Sequence, residues 1–251
     1  MNPRPLRSTT GGKARRWPEV SRDALLLLPG ALLVWLLMCG LGYLLTHPLT
    51  DAGFTHWEGG LDRWFAGHRT AGWNTMTNAA SVAGDTPAAI GMSVLAFVVL
   101  RLVLHRWREA VLLAVSMVGE VAIFAATAAV VGRHRPTVKH LDGSPPTSSF
   151  PSGHTAASTT LYGVLAVIVI IYAGRAIWGT LAVTAGALIV LSIGVSRLYR
   201  GMHYPSDVVG GILLGLLWIT ATTLVVLHGN SRSKRAAPQR IADSATHEDL
   251  P

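Results

Sequence analysis

A single cysteine, Cys39, among 251 residues rules out an intrachain disulfide, a cysteine-built zinc site and a redox pair. Charge is also scarce: 14% of residues are charged and 50% are apolar. A water-soluble domain of this length needs more charge than that to cover its surface. Aromatic residues make up 7% of the chain and never interleave with Lys and Arg as a base-stacking platform requires. The net charge of +8 therefore does not signal nucleic acid, and no nucleic-acid partner is expected. No internal repeat of fixed period is present either.

What is present is apolar residues in long runs. Six of them, 24–45, 87–104, 110–131, 155–172, 177–195 and 208–227, are each about long enough to cross a ~30 Å hydrocarbon core at ~1.5 Å per residue. The expected fold is all-α, an integral membrane bundle of six transmembrane helices. Residues 1–23 read as a basic, disordered cytoplasmic tail, 24–228 as the membrane domain, and 229–251 as a second polar, disordered tail. The first run exceeds a signal-peptide core and lacks a small-residue cleavage site, so it reads as an uncleaved helix. Between the first two runs, Trp57, Trp64, Phe65 and Trp73 lie among polar residues. The helical spacing of Leu61, Trp64 and Phe65 predicts one short interfacial helix. Gly211 and Gly215 form a small-xxx-small pair in the last run. Glu120 is a carboxylate inside the third run, facing the bundle interior as a functional group or as a structural hydrogen bond.

Lys and Arg set the orientation. Of the 21 in the chain, fourteen lie in the tails and in the turns after the second and fourth runs; seven lie on the other side. Both termini are therefore expected in the cytoplasm. Five of those seven, Arg133, Arg135, Lys139, Arg197 and Arg200, crowd the two connections after the third and fifth runs, where an orientation rule alone would remove them. These two connections share the non-cytoplasmic face and also carry Ser152, Gly153, His154, His203 and Asp207. Cations that neutralise a phosphate, two imidazoles and an orienting carboxylate suit phosphoryl transfer. Ser152 is a good N-cap, and the free N–H groups behind it, approached closely through Gly153, favour an anion.

The spacings are specific. Arg135-Pro136 closes the third helix, Pro151-Ser152-Gly153-His154 opens the fourth, and Ser196-Arg197, His203 and Asp207 follow the pattern Ser-Arg-x5-His-x3-Asp. The chain thereby resembles the type 2 phosphatidic acid phosphatase superfamily, which includes bacterial undecaprenyl-diphosphate phosphatases. The resemblance implies a membrane phosphatase that hydrolyses a lipid phosphate or diphosphate. His203 would be the nucleophile forming a phosphohistidine, Asp207 would orient its far nitrogen, and His154 would be the general acid and then the base. Arg135, Arg197, Ser152 and Gly153 would bind the phosphate oxygens. No metal and no other cofactor is implied.

The family's first lysine is replaced by Ala128. A charge-assisted hydrogen bond contributes about 1.5–3 kcal/mol, so its loss costs about ten- to a hundred-fold, and Arg133 and Lys139 are the candidate replacements. Arg200, Tyr199, Tyr204 and Asp85 fall outside the motifs and read as structural. Polyprenyl diphosphate is the first substrate candidate, with phosphatidic acid and phosphatidylglycerol phosphate close behind. A phosphotransferase using the same intermediate and a non-catalytic lipid-phosphate binder or transporter are the alternatives.

Overall fold

The computed structural model describes residues 18–50, 53–143 and 147–245, with side chains described only between Leu25 and Val226. Eight helices follow in order: α1 (Pro18–Thr46), α2 (Phe54–Gly67), α3 (Ala71–Ala83), α4 (Thr86–Val98, continued by a π turn over Val99–Val103), α5 (Trp107–Val131), α6 (Gly153–Tyr172), α7 (Ala176–Tyr199) and α8 (Pro205–Ala245). Among the described residues, six stretches are long and apolar enough to span a membrane: Leu25–Thr46, Thr86–Val103, Trp107–Val131, Gly153–Tyr172, Ala176–Tyr199 and Pro205–Val226. The chain is a multi-pass membrane protein with an all-α bundle, and its spans fall where the apolar runs predicted them. Helical backbone covers parts of both stretches read as tails, because α1 starts at Pro18 and α8 runs to Ala245. Residues 1–17 and 246–251, with the basic residues Arg4 to Arg16, lie outside the described residues.

The segment after α1 forms two helices where one was expected. Thr70 caps the second of them, its hydroxyl accepting from the Trp73 N–H at 3.3 Å. Trp57, Trp64 and Trp73 are exposed, as interfacial anchors should be, while Glu58 and Asp62, four residues apart on the other face of α2, are buried. Apolar periodicity cannot reveal such a face, since its inward residues are carboxylates.

Lipid tails are as apolar as leucine, so close packing holds the spans together more than water exclusion does. α6 is central and packs on α5, α7 and α8. Gly211 and Gly215 let α8 approach it: a Cβ at Gly211 would lie 2.5 Å from the Ser152 carbonyl oxygen, and one at Gly215 would lie 2.7 Å from Thr159 Cβ. On the next face a Cβ at Gly119 of α5 would meet the Trp218 ring at 2.3 Å. The Trp218 indole donates to the Ser116 carbonyl at 2.9 Å, and the Ser116 and Thr222 hydroxyls bond at 2.9 Å. Buried Met38, Ile123, Ala156 and Leu214 fill the core beside Trp218, and Leu112, Leu161, Val164 and Ile219 fill it toward the other membrane face.

Candidate active site

α5 ends at Gly132, whose φ of 59° is a left-handed conformation that glycine adopts without strain. The connection to α6 then crosses the end of the bundle and meets the short turn between α7 and α8. The junction is pinned by backbone bonds: the Ser152 N–H donates to the Asp207 carbonyl at 2.9 Å and the Leu141 N–H to the Arg200 carbonyl at 3.1 Å. A cavity of about 1070 Å³ opens beneath it, and Arg135, Gly153, His154, Arg197 and His203 all line it. The two imidazoles predicted to act together therefore face one space.

His203 is buried and fixed through Nδ1, whose N–H donates to the Ser149 carbonyl at 2.8 Å. This places the proton on Nδ1 and leaves the Nε2 lone pair beside the Arg135 guanidinium, at 3.4 Å. Burial pushes the imidazole pKa below its usual value; the Asp207 carboxylate opposes that shift, and the charges of Arg135 and Arg197 add to it. Asp207 lies 3.7 Å from Nδ1, beyond hydrogen-bond distance. Its oxygens are taken by Arg133 at 2.5 Å, the Tyr204 N–H at 2.8 Å and the Ser149 hydroxyl. The resemblance implies that Asp207 holds the ring directly. In the structure the ring's partner is the Ser149 carbonyl, and Asp207 holds Ser149.

His154 stands in the first turn of α6, and its Nε2 pairs with Asp85 Oδ1 at 2.5 Å. Asp85 occupies the N-cap position of α4 without capping it, which frees its carboxylate for this contact. Gly153 lies against Phe124, whose ring a Cβ would meet at 3.0 Å. Ser152 differs from expectation. It holds the N-cap position but caps no N–H, its oxygen instead accepts from the Thr155 hydroxyl at 3.0 Å, and its fully buried side chain is not on the cavity wall.

The cations divide into two groups. Arg135 and Arg197 each keep a buried Nε–H without a hydrogen-bond partner among the described residues. Arg135 otherwise donates to the Met202 carbonyl at 2.7 Å, and Arg197 to Ser81 Oγ at 2.6 Å and Asp142 at 2.8 Å. Arg133 and Lys139, the candidates for the role lost at Ala128, are both absent from the cavity wall. Arg133 is buried between Glu58 and Asp207, at 2.7 and 2.5 Å, and stacks on Tyr204 at 4.5 Å, while Lys139 is exposed. The third guanidinium on the cavity wall belongs to Arg200, which was read as structural. Its Nε binds Asp142 at 2.7 Å. Burial would raise the Asp142 pKa, but the hydrogen bonds of Arg200 and the charges of Arg197 and Arg200 outweigh it and hold the carboxyl below its usual range.

Asp85, Asp142, Ser81 and Ser149 were thus missing from the expected site. The signal for Asp85 was its place one helix start away from two histidine-bearing loops. No spacing marks the other three.

A six-span helical bundle whose loops at one end gather two imidazoles and three guanidiniums defines a class of membrane protein suited to anion chemistry. Residues 109–230 match the PAP2 superfamily model. The chain is 38% identical over 75 residues, 28% of this chain and 34% of the relative, to phosphatidylglycerophosphatase B of Bacillus subtilis. It is 42% identical over 87 residues, 33% of this chain and 41% of the relative, to the decaprenylphosphoryl-5-phosphoribose phosphatase of Mycolicibacterium smegmatis. Over 103 residues, 39% of this chain and 45% of the relative, it is 31% identical to the bacitracin transport permease protein BcrC of Bacillus licheniformis. The chain thus spans less than half the length of each curated relative it matches. The crystal structure of a transmembrane PAP2 type phosphatidylglycerolphosphate phosphatase from Bacillus subtilis superposes with a TM-score of 0.67 at 18% identity, covering 77% of this chain and 94% of that one, which shows a shared fold.

Proposed function

We propose that the protein is a membrane lipid phosphatase working through a phosphohistidine. The observation that carries this reading is the cavity itself: His203 presents an unprotonated Nε2 there, next to two guanidiniums with unpartnered N–H groups. A phosphate seated on Arg135, Arg197 and the free N–H groups at the start of α6 would have its negative charge spread over preorganised donors. The Nε2 lone pair attacks phosphorus while the ester oxygen departs with its bonding electrons and takes a proton from His154. Water then attacks the phosphohistidine, giving its proton to His154; the N–P bond breaks, inorganic phosphate leaves, and both imidazoles return to their starting states. The Asp85 carboxylate supports the protonated form of His154. No metal enters this scheme, since the guanidiniums supply the positive charge.

A lipid substrate is supported by the rest of the cavity wall. Ile90 and Val94 of α4 and Val118 and Val121 of α5 line it and are also exposed on the membrane-facing surface, so the cavity is continuous with the lipid. A lipid phosphate can enter sideways while its chain stays in the bilayer. Two of the relatives are named as phosphatases of lipid-linked phosphates, which agrees with this class.

The test is phosphate release by the purified protein from a panel of lipid mono- and diphosphates, with and without chelator, beside His203→Ala and His154→Ala. The wild type should release phosphate with or without chelator, and His203→Ala should fall to background. Equal rates for His203→Ala and wild type would overturn the nucleophile assignment. Phosphate moved to an added lipid or sugar acceptor, with none freed, would favour a phosphotransferase.

A further inference from the structure

Below the phosphate site the cavity is apolar except at two places. Glu120, on α5 one turn deeper than Phe124, lines it with only 1% of its surface exposed. Its Oε2 is buried and has no hydrogen-bond partner among the described residues. Ser93 of α4, about two turns in from Asp85 at ~3.6 residues per turn, also lines the cavity, and its hydroxyl is likewise buried and unpartnered. An unpaired carboxyl in a membrane span is costly and tends to mark a place where a ligand supplies the missing partner.

We propose that Glu120, with Ser93 behind it, recognises a hydroxyl on the linker that joins phosphate to lipid chain, which makes the preferred substrate a phosphomonoester of a hydroxyl-bearing linker. The proposal rests on the phosphatase reading and narrows it. Phe124 packs under Gly153, where the phosphate would sit, so Glu120 lies about one helical pitch, ~5.4 Å, further in. That is the reach of a three-carbon or sugar linker. A second phosphate in that position would find no cation, since Glu120 and Ser93 are the polar groups on that floor, so a plain polyprenyl diphosphate fits it poorly. A hydroxyl pairs with the unpartnered carboxyl there, and a site built to hydrogen-bond a hydroxyl discriminates against an analogue that lacks it.

A matched pair isolates this contact: 1-oleoyl-glycerol 3-phosphate and the 1-oleoyl-propanediol phosphate that differs only by the missing hydroxyl. Farnesyl diphosphate serves as a third substrate. Wild type should favour the hydroxylated compound at least tenfold in kcat/KM, mainly through KM. Glu120→Ala should lose that preference while turning over the deoxy compound within about twofold of wild type, and Glu120→Gln and Ser93→Ala should keep part of it. Equal loss on both compounds in Glu120→Ala and Glu120→Gln, or an undiminished preference in all three variants, overturns the proposal. Wild-type activity on farnesyl diphosphate alone also overturns it while leaving the phosphatase reading intact. No phosphate from any of the three removes that reading and the proposal together.

Discussion

At the scale of the residue, carboxylates hold the side chains of the site in place. Asp85 holds His154 by a single contact, and an amide there could orient the ring but not stabilise its positive charge. Asp85→Asn should therefore lower kcat about ten- to a hundred-fold on alkyl phosphates and much less on p-nitrophenyl phosphate, whose leaving group needs no proton. Equal losses on both would show that Asp85 serves the fold and not the acid. Asp62 carries a different consequence. Both its oxygens are buried without hydrogen-bond partners among the described residues. Burial first, and then the charges of Glu58 and Asp207, raise its pKa from 3.8 to about 7 against the opposing pull of Arg133 and Arg63. Between those values the folded protein holds a proton that the unfolded chain has released, so stability must fall as pH rises from about 4 to 7 and level off above. The full shift corresponds to on the order of 4 kcal/mol. Asp62→Asn should raise the Tm of the detergent-solubilised protein by several degrees at pH 8 and barely at pH 4.5. A Tm difference independent of pH would mean that Asp62 finds a partner in solution.

At the scale of the element, the bundle was legible because a membrane span needs one uninterrupted apolar run, and each run becomes one helix whatever its neighbours do. The two histidines and Arg135, Arg197 and Gly153 were legible too, because their spacing along the chain survives translation into loops. Ser149, Ser81 and Asp142 were not: they act through a carbonyl, a hydroxyl and a carboxylate whose roles exist only once α3, the α5–α6 connection and α7 meet. Arg133 misled for the same reason. Its buried acceptors, Glu58 and Asp207, come from helices α2 and α8, far apart in the chain. The contact between α6 and α8 carries the site, since α6 opens with Gly153-His154 and α8 with Asp207. Gly211→Ala would place a methyl group 2.5 Å from the Ser152 carbonyl, on backbone that is itself pinned to Asp207. Pushing the two helices apart should cost about 1–3 kcal/mol and most of the activity, with thermal stability and phosphate release falling together. Gly91→Ala, on α4 with nothing within 4 Å of the added carbon, should leave both unchanged or raise stability slightly. If the two substitutions behave alike, close approach at Gly211 is not what holds the site together.

At the scale of the whole molecule, the distribution of cations acquires a cause. Arg69, Arg133, Arg135, Arg197 and Arg200 are committed inward, to the carbonyls of Tyr199, Lys139 and Met202 and to the carboxylates of Glu58, Asp142 and Asp207. Charges bound this way belong to the fold, so they should count little in the electrostatic choice of orientation. At the opposite end Arg101 and Arg106 stack on Trp107 and Tyr172, at 5.0 and 4.1 Å, in the belt where basic and aromatic side chains anchor a helix end. Discounting the inward arginines sharpens the bias from which we propose that the termini lie in the cytoplasm and the cavity mouth outside. The single cysteine makes this testable: in a Cys39→Ala background, a cysteine at exposed Thr137 beside the site, or at exposed Ala176 on the far side, supplies the only thiol. A membrane-impermeant maleimide applied to intact cells should label Thr137→Cys at once and Ala176→Cys only after the membrane is opened. The reverse pattern would put the cavity in the cytoplasm, where the substrate would have to present its phosphate from the inner leaflet.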